Sequence, residues 1–162
     1  MQNKLLIPLV ALLMFSSCNE SLVYSEYRHL EDGKWPMGQK MEFELSGLDP
    51  EQDYRMFLNL RNDDHYPFSN LFLITELETP KGETHADTLE FKMADPMGNW
   101  LGQGRGSLVE HKLWYREKIA FPDSGVYRVN VSHAMRKNGE VQGLPVLVGI
   151  TDLGLEIEKV PD

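Results

Sequence analysis

The sequence predicts an all-β protein: an antiparallel two-sheet β-sandwich, jelly-roll or Ig-like, of about seven to nine strands. Three observations predict it. Beyond Lys40 the apolar residues recur with a period of two rather than that of a helix, turn-forming clusters interrupt them at short intervals, and no long window carries an amphipathic helical pattern.

The strands follow in order. Met41, Phe43 and Leu45 alternate with Glu42 and Glu44, so one face is apolar and the other wet. Met56, Leu58 and Leu60 alternate with Phe57, Asn59 and Arg61, and residues 70–79 fit the next strand. Leu89, Phe91 and Met93 alternate with Glu90 and Lys92, after which residues 106–109 and 112–121 fit two more. Tyr127, Val129, Val131 and His133 share a face against Arg128, Asn130 and Ser132, and Leu153, Leu155 and Ile157 alternate with Gly154, Glu156 and Glu158. Turn clusters lie between them at 48–53, 62–67, 79–83, 121–125 and 137–140, the last holding an Asn138-Gly139 pair suited to positive φ.

The amino terminus has a different character. Lys4 precedes an apolar run at 5–15, and Ser16 and Ser17 stand directly before Cys18, the one cysteine of the chain. This is a secretory signal pattern. As a helix the run would span about 17 Å against a hydrocarbon core of about 30 Å, and Pro8 interrupts it, so it is too short to be a membrane span. Small residues ending in cysteine resemble the lipobox of bacterial lipoproteins, whose cysteine is acylated and becomes the new amino terminus. Phe15 departs from the leucine commoner at its position. The expected organisation is a lipoprotein signal peptide at 1–17, an acylated amino terminus and tether at 18–39, and a sandwich domain at 40–160. Within the tether, residues 22–27 have the alternative of pairing as an edge strand.

Removing 1–17 takes one lysine and no acid, so the formal charge moves from −9 to −10 across 145 residues. That field repels phosphate backbones and anionic lipid surfaces, which argues against nucleic acid as a partner. With Cys18 acylated no cysteine is left for a disulfide, so the fold holds by packing alone.

No catalytic constellation is legible. The histidines at 29, 65, 85, 111 and 133 stand singly without ligand spacing, so no metal site is expected; His133 reads as a packed or rim residue. Ser107 and Ser124 lack a nucleophile elbow. Asp63, Asp64 and Asp123 fall in turns, where aspartate is favoured for backbone reasons, and nothing singles out a carboxylate pair. Gly102, Gly104 and Gly106 imitate a phosphate loop, but no helix follows to receive an anion, and no cofactor is expected. The Asn130-Val131-Ser132 sequon sits inside a strand and reads as chance.

The unusual segment is ADPMGNWLGQGRG at 94–106. Its glycines relax the backbone around Trp100 and Arg105, so Asp95, Gly98, Trp100, Gly102, Gly104 and Arg105 form a candidate interaction loop. The alternative is a hairpin turn with Trp100 folded back as a core plug. Trp35 and Trp114 raise a further reading, an aromatic platform with Trp100 that stacks a glycan.

The lipobox, the stretch DTLEFKMADPMGNWLGQGRG, the strand GVYRVNVSHAMR and the terminal GITDLGLEIEK together resemble the gliding-motility lipoprotein family GldH of the Bacteroidetes. The resemblance implies a non-enzymatic envelope lipoprotein, lipid-anchored through Cys18 in the outer membrane, whose partners are envelope proteins of the motility or type IX secretion machinery. It carries over no catalytic residue. NESL after the cysteine holds a single acid, Glu20, where surface-exported lipoproteins of this phylum usually show an acidic run, and this favours the periplasmic face. Asp87-Thr88-Leu89 resembles the phylum's O-glycosylation pattern, with Thr88 as acceptor. Two other classes stay open from sequence: a glycan-binding lipoprotein and a hydrolase with a cleft not visible in the chain.

Overall fold

The computed structural model describes residues 21–161, so Cys18 and the expected signal peptide lie outside the described residues. Among the described residues eleven strands form three groups. A five-stranded sheet has the order β1 (Leu22–His29), β11 (Ile150–Lys159), β4 (Tyr54–Asn62), β8 (Leu108–Ile119), β7 (Gln103–Arg105). A four-stranded sheet has the order β3 (Met41–Leu45), β9 (Tyr127–His133), β5 (Asn70–Glu78), β6 (Thr84–Lys92). A ribbon pairs β10 (Val146–Val148) with β2 (Lys34–Pro36). All these pairings are antiparallel, and the only helical element among the described residues is a single 3-10 turn, Glu31–Gly33.

The two large sheets face one another as the alternation predicts. Met56, Leu58 and Leu60 of β4 and Leu153, Leu155 and Ile157 of β11 are buried against Phe43 and Leu45 of β3, Val129 and Val131 of β9, and Leu71 and Leu73 of β5. Burial of such side chains contributes about 1.5–3 kcal/mol each. The strand count exceeds the expected range because β2, β7 and β10 have three residues each, too few to show a period. The two runs expected at 106–109 and 112–121 join into the single long strand β8.

The stretch 18–39, expected as a tether, belongs to the fold from Leu22 onward. β1 pairs with β11 from Leu22↔Glu158 to His29↔Asp152, and the Lys159 amide donates to the Ser21 carbonyl at 2.7 Å. As the edge of its sheet β1 is only partly covered, so polar residues dominate it and hide the apolar period. Trp35 of β2 is fully buried, its indole N–H donating to the Gln39 carbonyl at 2.9 Å and its ring meeting His133 edge-on at 5.7 Å. The β2–β10 ribbon thereby closes one end of the sandwich with an aromatic lid.

One outward face is also covered. Phe57 and Asn59 point away from the core yet are buried, because Lys112 of β8 lies over the Phe57 ring at 4.1 Å and bonds Glu156 and Glu158 of β11. Asn59 joins this lattice by donating to Glu156 at 2.7 Å. Burial works against the charge of Lys112, but its two glutamates outweigh that and raise its pKa.

The strands define two poles. At the first lie the start of β1, the end of β11 and the turns 46–53, 79–83 and 120–126, tied together by Lys118–Asp53 (2.8 Å) and Lys81–Asp123 (2.5 Å). At the second lie the 3-10 turn, the ribbon and the segments 63–69, 93–102 and 134–145. Replacing Trp35 with alanine is expected to destabilise the fold by about 3–5 kcal/mol, read from the urea midpoint; a loss under about 1 kcal/mol would show that the lid is dispensable.

Candidate interaction site around Trp100

The 94–106 segment joins β6 to β8 at the second pole. Its first half is a closed loop built by Asp95. One carboxylate oxygen accepts the amides of Met97 at 2.8 Å and Asn99 at 2.9 Å, and the other accepts the Asn99 side-chain amide at 2.9 Å. The Asp95 amide donates to the Asn99 carbonyl at 2.9 Å, and Gly98 turns the chain at φ +87°. These donors, the Asn99 side chain first, hold the Asp95 carboxyl below the usual carboxylate range.

The second half folds Trp100 inward. A bridge from Ala94 to Trp100 and a bond from the Leu101 amide to the Met93 carbonyl at 2.9 Å fix the return. The half-buried indole meets Tyr66 at 6.1 Å and His111 at 6.3 Å. Tyr66 donates to the Asn70 carbonyl at 2.7 Å, and burial pushes its phenol pKa up. His111, on the inner face of β8, shares a hydrogen bond of 3.0 Å with the Asn62 side-chain oxygen, and burial holds its pKa below the usual imidazole value. Gly102 seals this cluster. A Cβ there would stand 2.4 Å from the Glu110 carbonyl and 2.9 Å from His111 Cε1, whereas at Gly104 the nearest atoms are at 3.7 Å.

The candidate residues therefore separate by task. Asp95 and Gly98 shape the loop, Trp100 plugs it, and Gly102 admits the close approach; Gly104 and Arg105 lie in β7. The large apolar side chains that the loop presents to solvent are Met97 (85% exposed) and Leu101 (56%). Sequence reasoning missed both, although the Asp95 to Asn99 spacing is a turn signature that lifts Met97 outward.

The three tryptophans do not form one platform. Trp35 is buried, and Trp114 lies 51% exposed on the outer face of β8, 4.4 Å from Phe57, opposite the inner face where His111 meets Trp100. His133 is buried as the packed residue expected, and burial lowers its pKa too. Among the described residues no group of three or more histidine, cysteine, aspartate or glutamate side chains is placed to hold a metal ion. A cleft of about 470 Å³ beside Gly102 is walled by Lys92, Leu101, Glu110, His111 and Lys112, and brings no hydroxyl nucleophile to a base. Thr88 is exposed on β6, while Asp87 points to the other face and bonds Arg116 at 2.5 Å and Tyr115 at 3.3 Å.

Comparison with known proteins adds the remaining findings. Residues 22–157 match the family described as GldH lipoprotein. A protein of Christiangramia forsetii named "Gliding motility lipoprotein GldH homolog" is 47% identical over 91% of this chain and 90% of its own length. The "Gliding motility lipoprotein GldH" of Flavobacterium johnsoniae is 40% identical over 98% and 97%. The infectious bursal disease virus VP2 subviral particle overlaps 83% of this chain and 32% of its own at a TM-score of 0.40 and 14% identity, too loose a likeness to carry an argument.

Two outcomes test this construction. Gly102→Ala is expected to cost about 1–3 kcal/mol by urea denaturation, since a carbonyl blocks the new methyl, while Gly104→Ala is expected near neutral; equal effects would refute the close-approach account. Because the fold prefers neutral rings at His111 and His133, unfolding takes up protons. The stability they support is complete above the unfolded imidazole value of about 6.5 and is lost as pH falls below it. Tm is therefore expected to fall between about pH 7 and about pH 5, and His111→Gln to flatten part of that decline.

Proposed function

The chain belongs to the GldH lipoprotein family, and we propose that it is a non-enzymatic lipoprotein held by acylated Cys18 at the periplasmic face of the outer membrane, where its sandwich docks on motility or type IX secretion components. The observation that carries this reading is the identity of 40–47% across nearly the whole length of relatives named for gliding motility. The architecture is consistent with it. Asp95, Gly98, Trp100 and Gly102 spend their chemistry on holding a loop in shape, and its solvent side offers the apolar Met97 and Leu101, the kind of surface a protein partner covers.

A durable anchor needs more than one acyl chain, each buried methylene contributing about 0.8 kcal/mol, which a diacylated and further acylated cysteine supplies. Thr88, exposed and turned away from the Asp87 ion pair, is the proposed O-glycan acceptor.

Deleting the gene is expected to impair surface spreading or cargo secretion, with wild-type protein restoring it. A Cys18→Ala protein is expected to leave the membrane fraction, keep its Tm and fail to complement; full complementation from a soluble Cys18→Ala protein would refute the anchored role.

A further inference from the structure

We propose that the domain stands on the bilayer on its first pole, with that pole against lipid headgroups and the Trp100 loop held at the far end. This rests on the reading that Cys18 carries the acyl chains, and adds to it an orientation and a second membrane contact.

The argument is one of reach. Pairing with β11 begins at Leu22, and the Ser21 carbonyl is already engaged by Lys159. Four Cα steps separate Cys18 from Leu22, at most about 14 Å fully extended. β4 runs nine residues from the first pole to the second, about 30 Å at the rise of a strand. A leash half as long as the domain, fixed at one end of it, lets the domain tilt but not invert. A flexible tether running from Cys18 to residue 39, as the sequence suggests, would have allowed either pole to face the lipid.

The side chains at the first pole suit such a surface. Leu22 (40%), Val23 (39%) and Val126 (38%) are exposed there, each short enough to enter the headgroup layer without a partner. Lys81 and Lys118 are neutralised by Asp123 and Asp53, and Arg55 and Lys159 at the strand ends are matched by Asp49, Glu51 and Glu83 on the turns beside them. The pole is thus no polybasic patch, and the matching surface is zwitterionic rather than anionic. The second pole carries Met37, Met97, Leu101, Leu108, Val141, Val146 and Val148, seven of the eleven large exposed apolar residues among those described. The bilayer that holds the anchor does not reach them.

The test uses the full acylated protein. Single cysteines at the first pole (Val126→Cys, and independently Val23→Cys) and at the second (Leu101→Cys, and independently Met97→Cys) are labelled with a fluorophore, Cys18 being blocked by its lipid. The proteins are bound to phosphatidylcholine vesicles containing a headgroup-quenching lipid. Quenching is expected to be severalfold stronger at 126 and 23 than at 101 and 97. Equal quenching at both poles, or stronger quenching at 101 and 97, from vesicle-bound protein would overturn the orientation while leaving the anchor intact. A free Cys18 by mass spectrometry, with no vesicle binding, would overturn the anchor and the orientation together.

Discussion

Pairing of the first strand with the last governs where every other part of this fold points. β1 and β11 run antiparallel over seven register pairs, so the chain enters and leaves the sandwich at the same pole. β11 in turn pairs with β4, and β4 with β8, so the strand that receives the amino terminus belongs to a sheet whose centre is the best-buried part of the molecule. That continuity is what ties the first strand to the core. Loosening β1 would withdraw cover from one side of β11.

Two kinds of energy act on the sheets. Between them the apolar residues make a dry interface of the ordinary sandwich type. Outside, Lys112 spans Glu156 and Glu158 while its stem shields Phe57, and Arg61 lies over Tyr27 at 4.4 Å while bonding Glu110 at 2.6 Å. Exposed ion pairs contribute little singly. Here the long side chains act mainly as cover for aromatic rings, which is a packing role. The aromatic lid at Trp35 and the plug at Trp100 are the corresponding devices at the second pole.

Much of this was legible in the chain. The alternation at 41–45, 127–133 and 153–157 marks buried faces because each of those strands covers its neighbours on one side only. Phe57 and Asn59 escaped that logic, since what buries them is a lysine 55 and 53 residues away in sequence. The sequence does not decide whether Trp100 is presented or plugged in, for the same reason: its direction is set by Tyr66 and His111, which no local pattern connects to it. The boundary at Leu22 was obscured because an edge strand owes its place to backbone pairing, and backbone pairing leaves little trace in side-chain polarity. The family resemblance, by contrast, rests on several stretches each contiguous in the chain, and contiguous stretches are legible in the sequence.

The exposed edges of a β-sandwich are where sheet-to-sheet association with another chain begins. On the side where β1 and β3 form neighbouring edges, Arg28 reaches across and donates its Nε proton to the Glu42 carbonyl at 2.9 Å, while a second nitrogen holds Glu26 at 2.9 Å. An outward carbonyl that would template a foreign strand is occupied, and a charge is fixed where such a strand would lie. A bulge between Leu22 and Tyr24 breaks the regularity of the same edge at the first pole. Arg28 thereby closes to an incoming strand the edge that β1 and β3 present together.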